Sequence, residues 1–183
     1  MKHVIAPAAY LFVIAAVSTT LLLMAYAVTF EPIQNQVRQT QDRMMRAVLP
    51  QADEFQEISV DTSGTMVSVF EATAHGQRVG LVVSAAPMGY AGPIELIVGI
   101  SSEENVISGM RIVRHTETPG FGSVATNERF YSQFDNRPLH PITVVRSGAG
   151  EYELDSIAAS TITTEAIVQG VNDAIEWYKG GGF

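Results

Sequence analysis

The sequence predicts an α+β fold, with an N-terminal transmembrane helix, a polar helix, and one domain that has a mainly antiparallel sheet flanked by helices. An uncharged apolar run opens the chain, five short strand-like runs separated by turn residues follow, and an amphipathic helical pattern ends it. Strands first and helices later are typical of α+β, not of a doubly wound parallel sheet. The predicted segments are 1–30 (anchor), 31–50 (stalk) and 51–183 (domain).

The first segment is apolar and uncharged from residue 4 onward. Residues 4–30 carry no charge, and these 27 residues cover about 40 Å as a helix, more than the roughly 30 Å of a bilayer's hydrocarbon core. A cleavable signal peptide is the alternative, because Ala25-Tyr26-Ala27 fits a small-x-small site. The apolar part of a signal usually has about 7–15 residues, and this run is longer before Ala25. We therefore predict an uncleaved, single-pass anchor in the cytoplasmic (inner) membrane. Its short head and large acidic tail favour a C-terminal domain on the extracytoplasmic side.

The stalk, residues 31–49, is polar and helical. Pro32 suits a first helical turn, and Ile33, Val37 and Met44 could share one face. A linker helix without partners and a helix that docks another subunit both fit this pattern. Pro50 is predicted to end it.

After Pro50 the pattern changes to short strands separated by turn signals, which predicts an antiparallel meander with one buried face. A helix near 127–134, a strand over 141–145 and a final helix complete the domain. The predicted strands are FQEISV (55–60), TMVSVFEA (65–72), RVGLVVSAA (78–86), IELIVGIS (94–101) and VISGMRIVRH (106–115).

Composition excludes several kinds of site. The chain has no cysteine, which excludes thiolate-held iron–sulfur clusters, c-type haem, disulfides and cysteine nucleophiles. A formal net charge of −8 argues against nucleic acid as a partner. The four histidines lack ligand spacing, so no metal site is predicted. Nucleophile-elbow, phosphate-loop and dinucleotide-binding motifs are also missing, and no catalytic residue is predicted.

The stretch HTETPGFGS, residues 115–123, follows directly after a predicted strand. Its proline and glycines form a tight turn that exposes backbone amides. Together with the hydroxyls of Thr116 and Thr118, these amides could hold the polar edge of a planar ligand. A plain strand-to-helix turn is the alternative.

The stretch DSIAASTITTEAIVQGVNDAIEWYK, residues 155–179, crowds hydroxyls before a helix. Apolar residues at helical spacing predict a helix over 164–178, with Thr163 as N-cap and Glu165 in the first turn. Capping explains one or two of the five hydroxyls. A helix N-terminus also binds phosphate, so a hydroxyl there could contact a phosphate or be esterified by one. The five hydroxyls are Ser156, Ser160, Thr161, Thr163 and Thr164.

GYAGPIELIVGI, HTETPGFG and DSIAASTITTEAIVQGVNDAI together resemble the FMN-binding G subunit of the Rnf electron-transport complex, a relative of the C subunit of the sodium-pumping NADH:quinone oxidoreductase. The likeness covers most of the chain in the same order. In that family FMN is joined through its phosphate to the last residue of Asp-x-x-Ser/Thr-Gly-Ala-Thr, which places Asp155 at the start and Thr161 at the acceptor position. Ala158, Ala159 and Ser160 depart from the motif, and the missing glycine lies where an attaching enzyme must approach the backbone.

The resemblance also implies roles for the neighbouring residues. The hydroxyls around Thr161 would hold the phosphate, and the 115–123 loop would hold the flavin ring, with Phe121 against its face. Because a threonine hydroxyl without an adjacent base is a poor nucleophile, attachment needs a separate flavin transferase, and the resemblance implies that this enzyme uses FAD and a divalent metal. The further predicted cofactor-binding residues are Glu117, Thr118, Gly122, Ser160, Thr163 and Thr164.

The implied function is electron relay through FMN within an ion-translocating oxidoreductase complex, by a subunit that is not catalytic alone. Ferredoxin oxidation, with NAD or another acceptor, would drive sodium or proton movement by the complex. The implied partners are multi-span membrane subunits and an iron–sulfur protein. Two alternatives stay open: a membrane-anchored module that binds FMN or another phosphate ligand noncovalently, outside any electron relay, and a purely structural anchor subunit.

Overall fold

The computed structural model describes residues 2–62, 64–120 and 122–181. Its longer helices and strands follow one another in the predicted order, with two short 3₁₀ helices at Gly122–Thr126 and Ser132–Phe134. The elements are α1 Lys2–Val48, β1 Glu54–Ile58, β2 Met66–Ala74, β3 Gln77–Ala85, β4 Glu95–Ser101, β5 Val106–Arg114, α2 Glu128–Tyr131, β6 Arg137–Pro138, β7 Thr143–Val145, β8 Glu153–Asp155 and α3 Thr161–Lys179.

The chain forms two compact units, residues 1–40 and 41–183. In the first, Pro7–Phe30 is long and apolar enough to cross a membrane, with a mean hydropathy of 2.3. The prediction that Pro32 lies in a first helical turn is wrong, because Pro32 lies inside the continuous helix α1. A proline inside a helix removes one backbone hydrogen bond without necessarily ending the helix.

The second unit contains a six-stranded sheet in the order β1-β2-β3-β4-β5-β6. Every neighbouring pair is antiparallel, which confirms the predicted meander and the α+β fold class. The five longer strands match the predicted ones within a few residues. Strands β6 and β8 were not predicted, because two or three residues are too few to show a strand period. Strand β8 pairs with β7 in a separate parallel two-stranded sheet.

Both faces of the sheet are covered, so the prediction of one buried face is wrong. On one face, Leu81 and Val98 belong to the same apolar cluster as Ile167 and Ile175 of α3. The opposite face is covered by a second cluster, which joins the end of α1 and the residues after it to the sheet. That cluster contains Met45, Val48, Leu49, Ala52, Ala72, Val82 and Ile97.

The end of α1 lies directly on the sheet. A Cβ atom added at Gly99 would stand 2.7 Å from the Val48 carbonyl oxygen, so a side chain there would displace the helix end. The Ser108 hydroxyl of β5 donates a hydrogen bond to that same carbonyl. Carbonyls in the last turn of a helix lack partners within the helix, and Ser108 supplies one.

Candidate functional site

A pocket of about 540 Å³ lies at the start of α3. Three separate stretches of chain line it: the turn between β3 and β4, the 115–123 loop, and the residues around the first turn of α3. Two of these are the motifs that the sequence indicated as ligand-binding. The lining residues are Tyr90, Glu117, Thr118, Gly122, Ala159, Ser160, Thr161, Ile162 and Thr163.

The hydroxyls at the start of α3 differ in exposure. Ser160, Thr163 and Thr164 retain 7%, 2% and 0% of their accessible surface. Thr161 is exposed, lines the pocket, and its hydroxyl has no hydrogen-bond partner among the described residues. Thr161 is therefore the hydroxyl of this group that a large reagent can reach.

The two buried threonines use their hydroxyls inside the fold. Thr163 donates a 2.9 Å hydrogen bond to Oε2 of Glu117. The Thr164 hydroxyl accepts a hydrogen bond from the Ile157 N–H at 3.1 Å and donates one to the Ser160 carbonyl at 3.0 Å. Their hydroxyls anchor the helix start to the rest of the domain.

Helix α3 begins three residues before its predicted start. Ser160 is the N-cap, and its side chain makes no capping hydrogen bond. The predictions of Thr163 as N-cap and of Glu165 in the first turn are therefore wrong, since the first turn starts at Thr161 and contains no acidic residue. The earlier start makes Thr161 the first helical residue, where backbone N–H groups lack partners within the helix and favour an anion.

The residue before the N-cap has an unusual backbone. Ala159 has φ of +60°, a left-handed conformation that an alanine adopts only at some cost. Ala159 stands at the motif position where the resembled family has glycine. Asp155, at the start of the motif, does not line the pocket. Its Oδ1 accepts a hydrogen bond from the Ala149 N–H at 2.9 Å and so closes the turn before β8.

The 115–123 loop contributes Glu117, Thr118 and Gly122 to the pocket. Thr118 is exposed. Glu117 is buried, and its two carboxylate oxygens accept hydrogen bonds from the Ala91 N–H at 3.1 Å and the Thr163 hydroxyl at 2.9 Å. Phe121, predicted to contact the flavin ring, lies outside the described residues.

Three lining residues are not among the predicted binding residues: Tyr90, Ala159 and Ile162. Tyr90 is 75% exposed and Ile162 is 54% exposed, yet both border the pocket. The stretch GYAGP, residues 89–93, predicts a turn, and backbone hydrogen bonds from Gly89 to Gly92 and from Ile94 to Pro87 confirm a tight turn. The available signal was a tyrosine between two glycines of a predicted turn. Because turns lie on the surface, its ring could have been expected to be exposed and available to a ligand.

The pocket is poor in charge. Glu117 is the one charged residue among the nine that line it, and none of them is basic. In the described part of the chain, no group of three histidine, aspartate or glutamate side chains could hold a metal ion. Close to the start of the 115–123 loop, Glu95 raises the pKa of the Arg114 guanidinium through a hydrogen bond and its negative charge. Arg114 therefore stays charged at every physiological pH.

Known proteins resemble this chain in sequence and in fold. Residues 89–176 match the family model of the FMN-binding domain. The chain is 31% identical over 170 residues to the G subunit of an ion-translocating oxidoreductase complex from Methanosarcina acetivorans, with 90% of this chain and 89% of that protein covered. It is 32% identical over 185 residues to the G subunit of the Na(+)-translocating ferredoxin:NAD(+) oxidoreductase complex from Acetobacterium woodii, with 92% and 88% covered.

The fold has a counterpart among solved structures. The crystal structure of NqrC from Shewanella oneidensis superposes with a TM-score of 0.60 at 18% identity, and covers 75% of this chain and 93% of that one. At that identity the likeness shows the fold alone. The similarity in sequence, over nearly the whole length, shows more: this chain, with an FMN-binding domain at residues 89–176, belongs to the family of G subunits of ion-translocating oxidoreductase complexes, which are electron-transfer subunits.

Proposed function

We propose that this chain is a membrane-anchored electron-transfer subunit of an Rnf-type complex, and that it carries FMN on Thr161 through a phosphoester bond. One observation carries the choice of residue: Thr161 is exposed in the pocket, whereas Ser160, Thr163 and Thr164 are buried beside it. The relative from Acetobacterium woodii supports ferredoxin and NAD as the substrates of the whole complex.

The residues of the pocket fit FMN. A volume of about 540 Å³ lies within the range of roughly 300–1,000 Å³ that is usual for ligand pockets. The N–H groups of the first turn of α3 suit a phosphate. Tyr90 presents an exposed aromatic side chain at the rim, and an aromatic face suits a flat ring system. Thr118 and the backbone of Gly122 would form hydrogen bonds with the polar groups of the flavin ring.

The charge of the pocket supports a covalent link. A free phosphate monoester carries about −1.5 to −2 charges at pH 7, whereas a diester carries one. No basic residue lines the pocket, and the buried Glu117 adds a negative group. Esterification of Thr161 turns the phosphate of FMN from a monoester into a diester and so lowers its negative charge. The pocket, which has no basic residue to balance that charge, then has less of it to hold. A noncovalent site for free FMN would be expected to include a lysine or arginine.

Attachment requires another enzyme. A threonine hydroxyl needs an adjacent base to become a nucleophile, and Thr161 has none: the one carboxylate of the pocket, Glu117, already accepts the Thr163 hydroxyl. We infer a flavin transferase that uses FAD and a divalent metal. The Oγ1 of Thr161 would form a new bond to the FMN phosphorus, the pyrophosphate bond of FAD would break, AMP would leave, and the hydroxyl proton would pass to the transferase or to water.

FMN, when bound, supplies the redox chemistry, because it takes up two electrons and releases them one at a time. The chain itself holds the phosphate, shapes the pocket and keeps the domain at the membrane through Pro7–Phe30.

The segment Pro7–Phe30 contains no charged residue, so ion movement must occur through other, multi-span subunits. With the domain on the extracytoplasmic side, a covalent tether prevents the loss of a cofactor that is not readily replaced there. An iron–sulfur protein of the complex would complete the electron path.

The test uses the full chain co-expressed with a flavin transferase. After denaturation, yellow colour and fluorescence should stay with the polypeptide, and the intact mass should exceed the bare chain by one FMN less one water. Thr161→Ala should remove the label and Thr161→Ser should keep it. Peptide mapping of residues 155–179 locates it. Label retained in Thr161→Ala would move the acceptor to a neighbouring hydroxyl. Flavin released on denaturation would favour the noncovalent alternative, and a colourless protein of bare mass would refute the proposal.

A further inference from the structure

The Glu117 carboxylate lies between two glycines. A Cβ atom added at Gly89 would stand 2.5 Å from Oε1, and one added at Gly122 would stand 2.5 Å from Oε2. Real Cβ atoms do not approach oxygen so closely. The Glu117 carboxylate therefore fits between these two positions only because glycine has no side chain. The two backbone segments therefore close around this one group.

Each oxygen of that carboxylate also has a hydrogen-bond donor. Oε1 accepts the backbone N–H of Ala91 at 3.1 Å, 26 residues away, and Oε2 accepts the Thr163 hydroxyl at 2.9 Å, 46 residues away. Glu117 thus connects three stretches of chain that are distant in sequence: the turn between β3 and β4, its own loop, and the first turn of α3. These are the three stretches that line the pocket.

The first turn of a helix depends on such anchors. Its N–H groups have no partners on the N-terminal side, so the turn frays unless side chains hold it. Thr161 cannot anchor the turn, since its own hydroxyl is exposed and without a partner among the described residues. The anchor two residues further along is Thr163, and its hydroxyl is held by Glu117.

We propose that Glu117 is a positioning residue for flavin attachment: it holds the first turn of α3 through Thr163, and so fixes where the Thr161 hydroxyl is presented. Sequence reasoning instead made Glu117 a contact of the flavin ring. The residue is only 7% exposed, and both of its carboxylate oxygens already accept hydrogen bonds from other parts of the chain. Glu117 is therefore suited to hold the chain in place and not to contact the ring. The inference rests on the proposed function, because it concerns the placement of the acceptor that the proposal names.

The experiment measures the initial rate of flavin incorporation into the full chain. The chain is purified in detergent without flavin, then given FAD, Mg²⁺ and a flavin transferase, and the rate is followed by fluorescence of the denatured polypeptide. Glu117→Ala and Thr163→Val should each lower the rate at saturating chain concentration by at least about tenfold, because displacing a reacting group by an ångström is that costly. The half-saturating concentration should change little, since the surface recognised by the transferase remains.

Conservative and matched variants separate positioning from loss of stability. Thr163→Ser keeps the hydroxyl and should restore most of the rate that Thr163→Val loses. The double variant Glu117→Ala/Thr163→Val should be no slower than the slower single variant, because both remove one interaction. Ile175→Val, in the buried part of α3 and outside the pocket, lowers the melting temperature without touching the site, and it should incorporate flavin at the wild-type rate.

The outcomes distinguish this inference from the proposed function. If the wild-type chain takes up no flavin, the proposed function fails and this inference fails with it. If the wild-type chain is labelled and Glu117→Ala is labelled equally fast, the inference alone is overturned. It is overturned too if Thr163→Ser is as slow as Thr163→Val, or if Ile175→Val slows incorporation as much as Glu117→Ala.

Discussion

The hydroxyl of Thr164 accepts a hydrogen bond from the backbone N–H of Ile157 across 3.1 Å. The same hydroxyl donates to the Ser160 carbonyl oxygen at 3.0 Å, so one side chain joins both ends of the turn that leads into α3. Thr164 is fully buried and Ile157 nearly so. The buried hydroxyls of Thr163 and Thr164 therefore hold the start of α3 in place, whereas the Thr161 hydroxyl beside them is exposed.

Thr164→Val is expected to lower the free energy of unfolding by about 1–3 kcal/mol, because it leaves the Ile157 N–H buried without a partner while hardly changing the volume. Urea unfolding followed by emission of the single tryptophan, Trp177, measures the change. Thr161→Val is the control: its side chain is exposed, so its effect should stay within about 0.5 kcal/mol. Equal effects of the two substitutions would contradict the role of the Thr164 hydroxyl.

The backbone of Ala159 gives a second prediction. At φ of +60°, alanine is disfavoured by roughly 1–2 kcal/mol, and glycine is not. Glycine loses more conformational freedom on folding, by roughly 0.5–1 kcal/mol relative to alanine. Ala159→Gly should therefore leave stability unchanged or raise it by up to about 1.5 kcal/mol, and should speed flavin incorporation by opening the backbone to the transferase. Thermal unfolding and the incorporation assay measure the two effects.

Ala158→Gly is the matched control for that substitution. Ala158 is exposed like its neighbour and is not among the residues with positive φ, so glycine brings the entropic cost without the conformational relief. It should lower stability by roughly 0.5–1 kcal/mol. A loss of stability in Ala159→Gly as large as in Ala158→Gly would show that the left-handed backbone costs alanine nothing there.

The sequence predicted the parts of this fold that depend on local pattern. Five strands and the final helix follow from periodicity and turn residues, and the candidate acceptor Thr161 follows from a motif. The exposure of each hydroxyl did not follow, because burial depends on parts of the chain that are distant in sequence: the partner of Thr163, for example, is Glu117, 46 residues away. The left-handed Ala159 was likewise hidden, since alanine gives no sign of positive φ as glycine does.

The second covered face of the sheet shows the same limit. The unbroken apolar runs of β3 and β4 were a sign that both faces are buried, but nothing local indicates that the end of α1 returns to cover one of them. Leu49, with none of its surface exposed, lies in that cover.

Leu49→Ala is expected to lower the free energy of unfolding by about 2–5 kcal/mol, through lost burial and the cavity left behind. Val67→Ala, on β2 with a side chain 60% exposed, is the control and should change stability by no more than about 0.5 kcal/mol. Urea unfolding of the two variants tests the comparison. A Leu49→Ala effect as small as that of Val67→Ala would mean that the end of α1 does not seal the sheet.

The chain has no cysteine, so a single introduced cysteine can report which side of the membrane each segment occupies. Gln77, at the exposed start of β3, lies in the domain, position 2 precedes the apolar span, and Thr20 lies within it. If the domain is extracytoplasmic, Gln77→Cys should react with a membrane-impermeant maleimide in intact spheroplasts. Lys2→Cys should react only after permeabilisation, and Thr20→Cys should react in neither condition, because a bilayer excludes the charged reagent.

The reverse pattern, with position 2 labelled first, would place the domain in the cytoplasm and remove the reason given for tethering the flavin. Labelling of Gln77→Cys in a soluble fraction, with the residues up to and including Ala27 absent from its mass, would instead show a cleaved signal peptide.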